Sequence, residues 1–405
     1  MALNIQNILS DNAKSMRRSA IRDLLSVANR PEVISFAGGF PNPSTFPVED
    51  LKVIMQEVLE KESISALQYG PTEGNGKLRE ILAARYRAEG LDITKDNVLI
   101  TTSSQQAIDL TSRIFISPGD TIVCGLPSYL GALQSFWSYQ AKPIGISKDE
   151  DLEVVVKTLI SSGKKPKFIY TIPDFQNPSG ITMNMEQRRM VLDVAKRYDL
   201  LVIEDSPYRE IRFEGEAQPL LYSMDNQRVM LFGTLSKTVL PGFRIGWIIA
   251  PVEIIDRLVV AKQSADLCTP VFDQAVAASY FEKGLFEKNL GKTINLYRGK
   301  RNHMLACFEK YMPKGVSWTK PEGGLFLFVT LPAGYDSTEL FNVAIKEDVA
   351  FVIGEAFHCD GSGKNTMRIN FSFMDEERTE EGVKRLAKAI EQMFQRKPIE
   401  SPSTF

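Results

Sequence analysis

The chain has 405 residues, 43% hydrophobic and 24% charged, with 27 Gly and 21 Pro; this usage excludes collagen-like or disordered sequence and, at roughly 150 residues per domain, predicts two or three domains with a sizeable core. Lys plus Arg number 48 against 50 Asp plus Glu, a net charge of −2, so no basic excess offsets a phosphate backbone and no nucleic-acid partner is expected. Cys124, Cys268, Cys307 and Cys359 stand far apart, without a C-x-x-C pair and beside only two histidines, which excludes a locally encoded zinc site or disulfide framework and fits a reducing cytoplasm.

The N-terminus, Met1 to Asn4, lacks a basic region followed by an apolar run, and the most apolar stretch, Ile245 to Val260, carries Glu253, Asp256 and Arg257. Neither export nor membrane spanning is expected. An amphipathic helix is predicted around Ser19 to Ala28, followed by an irregular Gly/Pro segment, Ala37 to Pro43, that packs across the lobes. From Val98 the period alternates between 2 and 3.6: strands at 98–102, 121–124, 167–171, 200–204, 229–232 and 244–249, with helices near 104–115, 128–138 and 186–198. Apolar strands separated by helices predict an α/β fold with a mostly parallel sheet covered on both faces.

After about residue 285 the pattern becomes one long helix to about 312, strands at 324–329, 351–353 and 368–371, a helix near 337–347 and a closing helix near 376–395. A smaller α+β lobe is expected there. The boundaries read as an arm over 1–47, a large domain over 48–285 and a small domain over 286–405. The tail, Ser401 to Phe405, is expected to fray.

Familiar nucleotide fingerprints fail. Gly70, Gly74 and Gly76 have the wrong spacing for G-x-G-x-x-G, and Leu290 to Thr293 lacks the upstream glycine of a P-loop. No G-x-S-x-G elbow occurs, and His303 and His358 are isolated. The informative residues are Asn177, Asp205, Tyr208, Lys237 and Arg244, each at or just beyond a predicted strand end, where open α/β sheets bind ligands. Singly, each has an ordinary explanation: a cap for Asp205, packing for Tyr208, a solvated amine for Lys237.

Together they mean more. Gly233 to Lys237, followed by Pro241 to Trp247, sets an amine, hydroxyls and a guanidinium in one loop between two apolar strands. This segment resembles the lysine loop of fold-type I pyridoxal-phosphate aminotransferases. The resemblance extends in family order over Thr101 to Ala107, Gln176 to Gly180, Glu204 to Tyr208 and Arg368 to Ser372. It implies a seven-stranded sheet and pyridoxal 5'-phosphate as cofactor.

It also implies roles. Lys237 condenses with the cofactor aldehyde and, once displaced, moves a proton, which needs an amine of depressed pKa. Asp205 keeps the ring nitrogen protonated, Tyr208 and Asn177 hydrogen-bond the ring phenolate, and Tyr129 stacks on the ring. Ser103, Ser104 and Gln105 at a helix N-terminus, with Arg244, Thr234 and Ser236, hold the phosphate. Tyr69 corresponds to a tyrosine reaching the phosphate of a neighbouring subunit, so a homodimer is expected. Arg368 clamps the substrate α-carboxylate, and Gly38 and Gly39 let the backbone approach it.

Ser19 to Leu25, Ile34 to Gly39 and Gln68 to Gly74 are similar to the subgroup of 2-aminoadipate aminotransferase and kynurenine aminotransferase II. In that subgroup Arg22 matches an arginine that reads an acidic side chain; on a solvent face instead, it leaves apolar or aromatic amino acids preferred. Ser264 to Pro270 offers no arginine, so aspartate-type specificity is not expected. The expected reaction is ping-pong transamination between an L-amino acid and a 2-oxo acid, with the 2-oxoglutarate/glutamate pair and 2-aminoadipate or a broad aromatic and branched-chain range. The alternative is a β-eliminating C–S lyase on the same fold. With residues 1–33 before the Ile34 strand, the helix-turn-helix domain of a regulator is not expected.

Overall fold

A computed structural model describes residues 3–16 and 30–396. The predicted helix over 19–28, with Arg22, and the tail from Ser401 lie outside the described residues.

Among the described residues thirteen strands, in chain order, form three sheets. β1 is Ile34–Ser35, β2 Val98–Thr102, β3 Thr121–Gly125, β4 Lys142–Ile146, β5 Phe168–Thr171, β6 Leu201–Asp205 and β7 Val229–Thr234. β8 is Ile245–Ile249, β9 Ser317–Trp318, β10 Phe326–Thr330, β11 Val349–Ala350, β12 Val352–Ile353 and β13 Thr366–Asn370. The seven-stranded sheet has the order β2-β8-β7-β6-β5-β3-β4. β8 is antiparallel to both neighbours, and the remaining pairs are parallel. The mostly parallel α/β expectation therefore holds, with one reversed strand.

Its strands are apolar on both sides because both faces are covered. Val98, Ile100, Val202, Val229 and Leu231 face one buried cluster, while Leu99, Ile203, Met230, Phe232 and Ile248 face another that continues into β10, β13 and the helices Leu285–Tyr311 and Glu376–Arg396. In the C-terminal part, β10 pairs antiparallel with β9 and β13, and β12 with β13. β1 pairs parallel with β11. The Gly/Pro segment after β1 is tied down at Asn42, whose N–H donates to Tyr297 Oη at 2.8 Å and whose amide donates to the Ser372 and Phe373 carbonyls.

Boundaries differ where the backbone turns. The strand predicted from residue 244 starts at Ile245, because the 3-10 turn Pro241–Phe243 ends with Arg244 in the left-handed region. The helix predicted over 337–347 stops at Ala344, passes into a 3-10 turn and ends at Asp348, φ 52°. Edge strand β4 went unread because Pro143 and Gly145 weaken its pattern. No described helix is long and apolar enough to cross a membrane.

Candidate active site

The chain steps from β3 out to β4, then returns to the other side of β3 for β5, β6 and β7. Such a reversal opens a crevice beyond the strands' carboxyl ends. A cavity of about 330 Å³ lies there, lined by Gly39, Ser104, Gln105, Tyr129, Asn177, Asp205, Tyr208, Thr234, Ser236, Lys237, Arg244 and Arg368. All twelve were singled out from the sequence, as was Gly38, which does not line the cavity. Tyr69 is 79% exposed and does not line it; Arg22 lies outside the described residues.

One wall is the junction of β2 with the helix Ser103–Phe115. Ser103 takes a left-handed φ of 62° and faces Arg244, at 52°. The Ser103 N–H donates to the Arg244 carbonyl at 2.9 Å, and the Arg244 guanidinium donates to Ser103 Oγ. Gly246 permits this approach: a Cβ there would lie 2.6 Å from the Ser103 carbonyl carbon. The helix N-terminus and a guanidinium thus converge, as an anion site requires. The N-cap position of this helix is Thr102. Thr234 is a weaker phosphate candidate than expected, because its hydroxyl is engaged with the Ile245 carbonyl and with Ser236.

Lys237 follows β7. Its amine donates to the Gly39 carbonyl at 2.8 Å, and burial, then Arg368 and Arg244, push its pKa down to about 8. Asp205 ends β6, fully buried, and burial pushes its pKa up to about 7 against the opposing Tyr170 hydrogen bond. Tyr170 donates to its Oδ2 at 2.7 Å, while Oδ1 has no partner among the described residues. Asn177 Nδ2 donates to Tyr208 Oη at 3.2 Å, and Arg368 donates to Asn177 Oδ1 at 2.9 Å and to the Ala37 carbonyl at 2.7 Å. Arg368 stands over the Phe326 ring at 4.3 Å, and its Nε has no partner among the described residues. Tyr129 donates to Gln105 Oε1 at 3.1 Å, which orients both at the cavity edge.

A sequence model described as "Aminotransferase class I and II" matches residues 32–386. The chain belongs to that family. Among its relatives, the aromatic-amino-acid aminotransferase 1 of Thermococcus litoralis is 45% identical over 398 residues, 96% of this chain and 95% of the relative. The kynurenine aminotransferase of Pyrococcus horikoshii, solved with PMP, kynurenine and product, is 45% identical with a TM-score of 0.92, covering 96% of this chain and 98% of that one. The α-aminoadipate aminotransferase LysN of Thermus thermophilus, solved with N-(5'-phosphopyridoxyl)-L-leucine, is 34% identical with a TM-score of 0.89, covering 97% and 100%.

The site of this aminotransferase fits pyridoxal phosphate on its own geometry. Burying a carboxylate oxygen without a donor is costly, and Asp205 Oδ1 is such an oxygen, in the same cavity as a buried amine and a turn whose donors suit an anion. Sequence reading passed over Tyr170 and Gly246, and it placed Ser103 at the helix N-terminus without its left-handed turn. A signal existed for Tyr170, a polar tip inside an apolar strand next to the one ending in Asp205.

Proposed function

We propose that Lys237, Asp205 and Tyr208 form the catalytic group, that Tyr129, Asn177, Ser104, Gln105, Ser236, Thr234 and Arg244 complete the cofactor site, and that Arg368, Asn177 and Gly39 meet the substrate. The enzyme is an aminotransferase that moves an amino group between an L-amino acid and a 2-oxo acid. Pyridoxal phosphate, when bound, supplies a ring that accepts the electron pair left as the substrate Cα loses its proton.

Asp205 would hold the ring N–H, and the turn at Ser103–Gln105 with Arg244 and Ser236 would hold the phosphate. Lys237 Nζ takes the Cα proton; its lowered pKa leaves a large neutral fraction near pH 8. Arg368 binds the α-carboxylate, exchanging its present contacts with Asn177 and the Ala37 carbonyl for a charged partner. The unpartnered Oδ1 of Asp205 in Lys237's cavity carries this reading. Borohydride reduction of the loaded enzyme followed by peptide mapping tests it: label on Lys237 is expected, and label elsewhere contradicts it.

For the substrate we favour the 2-oxoglutarate/glutamate pair with 2-aminoadipate, or a broad aromatic and branched-chain range, supported by what the relatives' names say of them. If Arg22 reads an acidic side chain, Arg22→Ala lowers kcat/KM for 2-aminoadipate and glutamate more than for leucine; an equal loss removes Arg22 from the reading. The C–S lyase alternative gains no support from these relatives.

A homodimer in which Tyr69 of one protomer reaches the phosphate end of the other site is supported by the exposed run Ile64, Leu67 and Tyr69. Sedimentation reporting a monomer at working concentration would contradict it. Free cysteines at Cys124, Cys268, Cys307 and Cys359 support a cytoplasmic setting. The arm 1–47, large domain 48–285 and small domain 286–405 remain our proposed division, supported by a seven-stranded sheet confined to 98–249 and a four-stranded one to 317–370.

A further inference from the structure

Tyr170 and Asp205 lie on neighbouring parallel strands. The β5–β6 register pairs Tyr170 with Ile203. Strand side chains alternate, so Asp205, two residues beyond Ile203, shares the face of Tyr170. Tyr170 donates to Asp205 Oδ2 at 2.7 Å, with both side chains buried. Among the described residues no other side chain donates to this carboxylate, and Oδ1 is left without a partner.

The two residues differ in access. Asp205 lines the cavity and Tyr170 does not. The Tyr170 ring sits edge-on to Phe136, centroids 5.5 Å apart at 76°, and the residue is 1% exposed. Its hydroxyl therefore cannot swing to solvent. We infer that Tyr170 is a positioning residue: it fixes one oxygen of Asp205 from beneath the site and favours the ionised carboxylate, presenting the other oxygen to the ring N–H of the cofactor.

The chemistry follows from what each oxygen can accept. A carboxylate that accepts one hydrogen bond from a neutral phenol keeps its charge, and a fixed Oδ2 fixes the direction of Oδ1. Burial raises the Tyr170 pKa, and the Asp205 charge raises it further, so the phenol keeps its proton and stays a donor near neutral pH. Without that donor the buried Asp205 would be protonated more readily, and a neutral acid holds a ring N–H less well. This inference rests on the role proposed for Asp205.

The test is binding to the apo-protein, read by tryptophan fluorescence. Pyridoxal phosphate is compared with its analogue bearing C–H in place of the ring nitrogen, in the wild type and in Tyr170→Phe. The wild type is expected to prefer pyridoxal phosphate. Tyr170→Phe is expected to lose about tenfold or more of that preference, the typical loss of a hydrogen bond to a charged group, while binding the analogue as the wild type does. A merely structural role would weaken both ligands alike.

An unchanged preference in Tyr170→Phe overturns the inference. A wild type that does not distinguish the ligands overturns the Asp205 reading itself, so the two failures are separable. Should the phenylalanine variant not fold, Tyr170→His keeps a ring and an N–H donor and is expected to retain the preference; a histidine variant that binds the analogue normally yet has lost the preference contradicts the inference.

Discussion

At Lys237 the buried surroundings decide the chemistry. An ordinary lysine is charged at neutral pH and cannot take a proton, whereas this one is lowered to about 8. We expect Lys237→Ala to bind cofactor noncovalently and to lose at least about 10² to 10⁴ in kcat, measured with glutamate and a 2-oxo acid; undiminished turnover would remove it from the catalytic group. Arg368→Lys replaces a planar fork by a point charge. The amino-acid KM should rise by about tenfold or more, the loss of one bidentate contact, in steady-state assays. Lys237, Asp205 and Arg368 were legible because their residue types recur in one order along the chain. The left-handed φ of Ser103 was not, since it depends on the room that Gly246 makes.

At the scale of elements, β8 bears on the site through Gly246. A Cβ at that position meets the Ser103 backbone, which cannot yield as a side-chain tip can. Gly246→Ala should cost roughly 1–3 kcal/mol, as overpacking does, read by denaturant unfolding, and should weaken cofactor binding as the Ser103–Arg244 pairing opens. Unchanged stability would show that β8 shifts freely. The strands of the large sheet were legible from uniform apolarity, which two-sided burial demands. The helices Val48–Lys61 and Gly76–Ala88 were passed over. Both are amphipathic with many charged residues, and neither carries a residue of the matched motifs. The start of β8 was misplaced by one residue because a left-handed arginine leaves no mark in a hydrophobicity pattern.

Across the whole molecule, the buried charges at the site link stability to pH. Burial raises Asp205 from its ordinary 3.8 to about 7. Its contribution is therefore fully present below pH 3.8 and is lost as pH rises through about 7. Lys237 is lowered from 10.5 to about 8, so its contribution is present above 10.5 and is lost as pH falls through about 8. Between 7 and 8 the apo-protein carries both charges buried. In the proposed site, bound cofactor would give each a partner. We predict that the difference in Tm between cofactor-loaded and apo-protein, at fixed excess cofactor, is largest near pH 7–8 and shrinks on both sides. Glu204, also raised to about 7 by burial, caps Leu221 and Tyr222 away from the site and acts alike in both forms. A gap that does not vary with pH would contradict this account of Asp205 and Lys237.

The most direct measurement is a single turnover of the cofactor-loaded protein with glutamate and no acceptor, assaying 2-oxoglutarate and free ammonia together. Amino-group transfer at this site predicts about one 2-oxoglutarate per active site without ammonia, abolished in Lys237→Ala. Ammonia released in step with the oxo acid, or an equal yield from the alanine variant, would contradict it.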